Sequence, residues 1–192
     1  MRFTVKKTYF GAVLLLGLSI FTSGCEHEPI IPNEEELITT LTYTLTPSGG
    51  GTAITLTYKD LDGDGGNAPT TTLSGNLAAN TTYIGKLVLL NESVTPAEDI
   101  SAEIKAEKET HQFFFQPASA LKATVSYTDT DANGKPVGLE TSLVTTYASE
   151  GDLTIILRHE PNKSASGVAT GDVTNAGGET DIEAVIKNVK IQ

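Results

Sequence analysis

The chain has 192 residues, enough for one sizeable hydrophobic core. It contains 24 acidic and 13 basic residues, and its net charge of −11 disfavours binding to nucleic acid or anionic lipid and favours binding of cations. The single cysteine excludes an intrachain disulfide and a two-thiol zinc or redox site. The absence of tryptophan and the abundance of glycine and threonine favour strands joined by turns.

Residues 1–24 have the order of a secretory signal peptide. Lys6 and Lys7 precede an apolar run at residues 10–21, which is too short to span a bilayer comfortably, and small residues then lead to Cys25. Residues 18–25 resemble the lipobox of bacterial lipoproteins, with Thr22 where leucine is commoner. The resemblance implies cleavage before Cys25 and lipid attachment to its thiol, which would anchor the chain to a membrane. The alternative is a secreted protein with an unmodified cysteine.

Residues 25–36 predict a flexible acidic tether, because proline and acidic residues dominate them. Glu26 and Glu28 flank His27, and this acidic stretch resembles the surface-export signal of Bacteroidota lipoproteins. The resemblance implies an outer-membrane lipoprotein on the cell surface, with the periplasmic face as the alternative. The whole chain also looks like the small lipoproteins that Bacteroidota often carry beside TonB-dependent receptors, which implies an outer-membrane uptake receptor as a partner, whereas an adhesive role would imply a surface polymer. We interpret His27 as a solvated residue of the tether.

Residues 37–192 predict a single all-β domain. Alternating and β-branched segments predict strands at 37–46, 52–59, 70–75, 81–91, 111–116, 121–128, 139–147, 152–160 and 181–192. Thr95, Pro96 and Glu98 are helix-start signals and predict one short helix over residues 96–107. These elements together predict a two-sheet β-sandwich of immunoglobulin-like or jelly-roll type.

The two halves of this domain, residues 37–108 and 109–192, resemble each other. An aspartate-rich loop follows a strand in each half, and the later apolar strands at residues 87–92 and 155–160 also correspond. In both cases the corresponding segments are separated by nearly the same number of residues along the chain. It predicts an internally duplicated unit in which the two halves bury each other's apolar faces.

The loop at residues 129–140 has the spacing of a twelve-residue calcium loop. Asp129, Asp131 and Asn133 occupy positions 1, 3 and 5, a glycine follows at position 6, and Glu140 stands at position 12. The Lys135 carbonyl at position 7 would complete the oxygen ligands. Both flanks predict strands, so the sequence predicts a Ca²⁺ site on a β scaffold rather than a helix–loop–helix protein.

The loop at residues 60–71 repeats the first part of this pattern. Asp60, Asp62 and Asp64 have the same offsets, but Thr71 replaces the final glutamate, so the Gly66 carbonyl, a side chain or water would supply the remaining oxygens. Aspartate, asparagine and glycine are also the ordinary residues of tight turns, and both loops keep that alternative.

Two histidines offer a different metal site. His159 and Glu160 end one predicted strand and His111 begins another, so the three side chains could bind a transition metal if the strands are neighbours. Surface polar residues at strand ends are the alternative.

No motif of a hydrolase, metalloprotease or nucleotide-binding enzyme is present, so we predict a non-catalytic binding lipoprotein, stabilised by calcium and accessory to an outer-membrane uptake receptor. The alternatives are metal capture through histidines and acids, or a structural or adhesive surface domain. A surface hydrolase would need a cleft with a perturbed acid or base, which the sequence does not indicate.

Overall fold

The structure, a computed structural model, describes Thr4 and residues 36–63 and 66–192. The predicted signal peptide, Cys25, His27 and nearly all of the tether lie outside these residues, so lipid attachment stays a prediction. Within them, no helix has both the length and the apolar character needed to cross a bilayer.

Ten strands and one α-helix make up most of the described chain. The strands are β1 (Thr40–Pro47), β2 (Ile54–Lys59), β3 (Thr70–Leu73), β4 (Thr82–Asn91), β5 (Glu98–Asp99), β6 (His111–Pro117), β7 (Ala123–Tyr127), β8 (Glu140–Thr145), β9 (Ser149–His159) and β10 (Glu179–Ile191). Helix α1 is Ile100–Ala106, and two 3-10 helices are Val168–Thr170 and Val173–Asn175.

The strands form two sheets, as the alternating pattern predicted. The larger sheet has the order β3-β2-β1-β4-β8-β7, with β5 paired to β4, and the smaller has the order β10-β9-β6. Inward side chains of the two sheets form one core, in which the rings of Tyr43 from β1 and Phe115 from β6 lie 5.4 Å apart. The prediction of an all-β, two-sheet protein with one helix is therefore confirmed.

The pairing of strands does not follow the two sequence halves. In the first half β1 pairs with β2 and β4, whereas in the second half β6 pairs with β9, and β7 with β8 lies in the other sheet. The counterpart of the β1–β2 pair is thus missing from the described strand pairs. Internal duplication stays a prediction.

The helix begins later than its sequence signals indicate. Glu98 and Asp99 pair with Asn91 and Leu90 as strand β5, which holds them in an extended conformation. Asp99, not Thr95, is therefore the N-cap, and its carboxylate accepts the backbone N–H of Ser101 at 3.0 Å. The helix is Ile100–Ala106 instead of residues 96–107.

A glycine in the inward face of β4 makes room for a buried hydrogen bond. The Tyr43 and Thr141 hydroxyls lie 2.6 Å apart in the core. A Cβ at Gly85 would overlap both side chains. Burial raises the pKa of Tyr43, so the phenol stays neutral and can donate.

The outer face of the smaller sheet is covered by the segment between β9 and β10. Phe114 and Ile156 project outward from β6 and β9 and pack against Val168 and Ala176. The outward face of this sheet is therefore buried around Phe114 and Ile156, whereas outward residues of β10 such as Glu183 and Lys187 are exposed.

Candidate metal centre

Two buried histidines lie opposite each other at one end of the smaller sheet. His111 begins β6 and His159 ends β9, and the antiparallel register pairs them directly. Both follow the inward alternation of their strands, beside Phe113 and Leu157, so both rings point between the two sheets. Their centroids are 4.5 Å apart with an interplanar angle of 53°. The strands are therefore neighbours, which was the condition for a metal site shared by the two histidines.

Glu36 approaches the histidines from the other sheet. It precedes β1, and its carboxylate places Oε1 2.6 Å from His111 Nε2 and Oε2 3.5 Å from His159 Nδ1. Its side chain is only 5% exposed, and Oε2 accepts no hydrogen bond from the described residues. The sequence assigned Glu36 to the end of the tether, but its side chain belongs to the folded domain.

Asp181 enters the cluster through a β-bulge. Thr180 pairs with Arg158 and Ile182 pairs with Leu157, which leaves Asp181 as an extra residue of β10. A bulge of this kind redirects a side chain that regular alternation would aim elsewhere. The Asp181 side chain is fully buried, and its Oδ1 lies 3.8 Å from His159 Nδ1.

These four side chains can share one metal ion. One ligand atom from each of Glu36, His111, His159 and Asp181 lies within 4.8 Å of the other three. About 3.4 Å separates two ligands of a tetrahedral zinc ion with bonds near 2.1 Å. The distances of 3.5 and 3.8 Å from His159 Nδ1 to Glu36 and Asp181 are close to that value, whereas the 2.6 Å approach of Glu36 to His111 has to widen.

A backbone carbonyl fixes the orientation of His111. The Glu107 carbonyl, just beyond α1, lies 3.0 Å from His111 Nδ1, and a carbonyl can only accept a hydrogen bond. Nδ1 therefore carries a proton, and in the neutral ring Nε2 presents its lone pair to the cluster. Metal-binding histidines are commonly oriented by such an outer contact.

Opposing effects of burial and charge act on the cluster. Burial raises the pKa of Glu36, but the adjacent imidazoles of His111 and His159 outweigh this effect and hold the pKa below its ordinary value. Burial lowers the pKa of His111, but Glu36, the Glu107 carbonyl and Asp181 outweigh it, so the pKa lies above its ordinary value. The ionised form of each group is thus stabilised by the other.

The cluster lies next to a cavity of about 620 Å³. Glu36 and Asp181 line this cavity together with Asp60 and Asp62 of the first aspartate loop and Glu183 of β10, whereas neither histidine is among the lining residues. The side chains of Glu36 and Asp181 are only 5% and 0% exposed, so these two residues form the wall between the cavity and the cluster.

Comparison with known proteins gives no function for this cluster. No family model, curated protein or solved structure matches the chain.

Glu160 does not join the cluster that it was predicted to complete. It lies on left-handed backbone with φ 49° and its side chain is exposed, because the chain turns sharply as β9 ends. Gly178 lies against this turn, and a Cβ there would overlap the carbonyl oxygen of His159. Gly178, itself at φ 68°, therefore lets the start of β10 pass close to His159.

The second aspartate loop binds donors of the protein itself. Asp129 accepts the N–H groups of Gly138 at 2.8 Å and Glu140 at 3.1 Å, and the Lys135 carbonyl accepts the N–H of Asp131 at 2.8 Å. The exposed Glu140 side chain pairs with Lys86 at 3.3 Å. The oxygens of the predicted calcium set are thus partly occupied, and calcium binding by this loop stays a prediction.

A buried lysine lies at the centre of that loop. Lys163 Nζ is 3.1 Å from Asp131 Oδ2 and 3.0 Å from the Pro136 carbonyl oxygen, and it also donates to the Lys108 carbonyl. The other oxygen of Asp131 accepts the N–H groups of Asn133 and Lys135. Of the predicted calcium ligands, Asp131 is the one that the ammonium group is shown to contact, so Lys163 occupies an oxygen that the spacing assigned to a metal.

Burial and charge affect the pKa values of Asp131 and Lys163 differently. Burial raises the pKa of Asp131, but its hydrogen bonds and Lys163 outweigh burial, so the pKa lies below its ordinary value. Burial lowers the pKa of Lys163 more than Asp131 raises it. The pair remains ionised near neutral pH because it is surrounded by hydrogen-bonding partners.

The first aspartate loop forms turn contacts and one wall of the cavity. Asp60 accepts the N–H of Gly63 at 2.9 Å, and Asp62 accepts the backbone and side-chain N–H groups of Asn67. Gly66 lies against Asp62, whereas Asp64 is outside the described residues. Calcium binding here also stays a prediction.

Proposed function

We propose that this protein captures a divalent first-row transition metal ion, with Zn²⁺ as the reference case. The observation that carries the proposal is the convergence of two imidazoles and two carboxylates within 4.8 Å in a site shielded from solvent. With both imidazoles neutral and both carboxyls ionised, the four groups carry a charge of −2. One divalent cation balances that charge in a place where an unbalanced charge is costly.

The donor set favours particular metals. Imidazole nitrogen suits zinc, copper, iron and nickel, whereas calcium and magnesium prefer a shell made only of oxygen. The absence of a sulfur ligand among Glu36, His111, His159 and Asp181 disfavours monovalent copper. We therefore expect the site to prefer Zn²⁺ and its neighbours in the first row over Ca²⁺.

Capture fits the site better than catalysis does. Catalytic zinc ions usually keep one position open for water, whereas four protein ligands complete a tetrahedral shell. Two of the four ligands, Glu36 and Asp181, are among the residues that line the adjacent cavity, so the ion has a short route to the site. The proposal takes up the metal-capture alternative of the sequence analysis, for a lipoprotein tethered through Cys25 to the outer membrane.

Metal binding is the first test. The purified protein, stripped with a chelator, is titrated with Zn²⁺, Co²⁺ and Ca²⁺, and bound metal is measured by elemental analysis and calorimetry. We expect one Zn²⁺ or Co²⁺ per chain, with weaker binding of Ca²⁺. His111→Gln and His159→Gln should each weaken zinc binding at least tenfold, because each removes one ligand.

The third histidine of the chain provides the control. His27→Gln should bind zinc as the wild type does, because His27 is not one of the four cluster residues. Circular dichroism of each variant separates lost ligation from lost folding. The proposal is refuted if no ion binds above background, or if the folded His111→Gln and His159→Gln variants bind zinc unchanged. In either case the cluster is only an internal network of ion pairs.

A further inference from the structure

The charged residues that line the cavity beside the metal centre are all acidic. Five acidic residues and no lysine, arginine or histidine are among its described lining residues, and Asp60, Asp62 and Glu183 are the ones that are not deeply buried. The hydrogen bonds that Asn67 donates lower the pKa of Asp62, so this carboxylate stays charged at neutral pH. A cleft of one charge concentrates ions of the opposite charge and raises their association rate.

The metal centre and the cavity share two residues. Glu36 and Asp181 belong both to the residues that line the cavity and to the cluster, whereas neither His111 nor His159 lines the cavity. The side chains of Glu36 and Asp181 are only 5% and 0% exposed, so a cation from the cavity reaches the four ligands through the wall that these two residues form.

The volume of the cavity fits a hydrated ion. Six waters occupy roughly 180 Å³ at about 30 Å³ each. The cavity of about 620 Å³ is larger than this volume, so it has space for a hexahydrated cation. An anionic chelate of the same metal would meet acidic lining residues without a compensating positive charge.

We propose that the acidic cavity is the entrance to the metal centre, and that its cargo is a hydrated divalent cation rather than an anionic metal chelate. This inference rests on the proposed capture function and specifies the form in which the metal arrives. Asp60 and Asp62 of the first aspartate loop then attract the ion, whereas Glu36 and Asp181 receive it.

Association kinetics test the entrance. Co²⁺ is mixed with apoprotein in a stopped-flow instrument, and binding is followed by the visible absorption of tetrahedral cobalt. The Asp60→Asn, Asp62→Asn double variant should associate about tenfold more slowly at low ionic strength. Its dissociation rate should stay within twofold of the wild type, because the four ligands are intact. Added salt should reduce the difference.

A charge-matched control separates this effect from net charge. Glu98 is an exposed residue of β5 and Glu150 is a half-exposed residue that pairs with Lys190, and neither lines the cavity. The Glu98→Gln, Glu150→Gln double variant removes the same two charges and should associate within twofold of the wild type. Equal rates for the two double variants would overturn the inference.

The form of the cargo is tested with citrate. At equal total cobalt, the association rate of wild-type protein should fall in proportion to the free Co²⁺ that remains when citrate is added. An unchanged rate would mean that the anionic complex enters directly, and it would overturn the inference. If wild-type protein binds no cobalt at all, the capture function fails first, so the two failures are distinguishable.

Discussion

The buried pair of Lys163 and Asp131 should be a principal source of stability for the 129–140 loop. Lys163→Met keeps the length of the side chain but removes the ammonium group. The Asp131 carboxylate and the Pro136 and Lys108 carbonyls would then lose their shared donor in a site where Lys163 is only 6% exposed. Removing one partner of a buried ion pair costs about 3–5 kcal/mol.

The lower end of that range is the better estimate for this loop. Asp131 keeps two backbone N–H donors, and the methionine no longer has to be desolvated as an ion. We therefore expect a loss of about 3 kcal/mol in the free energy of unfolding. For a domain of this size that loss lowers the melting temperature by about 6–12 °C.

Urea denaturation and calorimetry measure both quantities. Lys122→Met is the matched control, because the exposed Lys122 ammonium donates to the single carbonyl of Ser119. It should change stability by less than about 0.5 kcal/mol. If Lys163→Met costs less than about 1 kcal/mol, the ion pair does not hold the loop, and our reasoning is wrong.

The same variant tests the calcium prediction. Once the ammonium is gone, the loop offers an oxygen-lined space to a metal ion. Millimolar calcium should then stabilise Lys163→Met more than it stabilises the wild type. An equal calcium response of the two proteins would show that the lysine and the ion do not compete for one position.

Three further predictions follow from local geometry. Gly85→Ala should cost about 1–3 kcal/mol of unfolding free energy in urea titrations because its Cβ meets Tyr43 and Thr141, whereas Gly49→Ala, in open space, should be nearly neutral. Gly178→Ala should weaken zinc binding at least tenfold in calorimetric titrations, because its Cβ would displace the His159 backbone. Gly177→Ala is the control: its φ of 61° is similar but its Cβ meets no atom, so it should lower stability without weakening zinc binding. Because the folded pKa of Asp131 is lowered, its contribution is complete above the unfolded pKa of about 3.9 and is lost as pH falls through the folded value. Acid titration of Asp131→Asn should accordingly show a flatter loss of stability than the wild type; parallel curves would contradict this.

Most of the fold prediction rested on the alternation of apolar and polar residues along the strands. Tyr43, Leu89 and Leu157 occupy inward positions of strands whose bounds agree with the predicted ones within a few residues. Alternation identifies the buried face of a strand but not its neighbours, so the crossing of β7 and β8 into the larger sheet could not be foreseen. The helix start was misplaced because pairing of residues 98–99 with β4 overrode the local capping signals.

Two of the four residues of the metal centre could be predicted from the sequence. His111 and His159 are visible in the sequence because both lie at the ends of apolar strands. Glu36 is the last of three consecutive glutamates, and nothing local indicates which of them turns inward. Asp181 stands at a position that regular alternation assigns to the opposite face from Ile182, and a bulge has no local sequence signal here. Lys163 is far from the loop that it enters, so spacing within the loop could not reveal it.

The bulge at Asp181 has a consequence for solubility. β10 is an edge strand of the smaller sheet, and a long regular edge offers a row of unpaired N–H and C=O groups to another copy of the chain. The register shift at Asp181, and the second shift between Ile186 and Val189, interrupt that row. Deleting Asp181 would make the edge regular from Glu179 to Ile186 while removing a ligand, so the variant should both lose metal and associate edge to edge more readily than the wild type. One backbone irregularity would thus place a ligand and hinder edge-to-edge association.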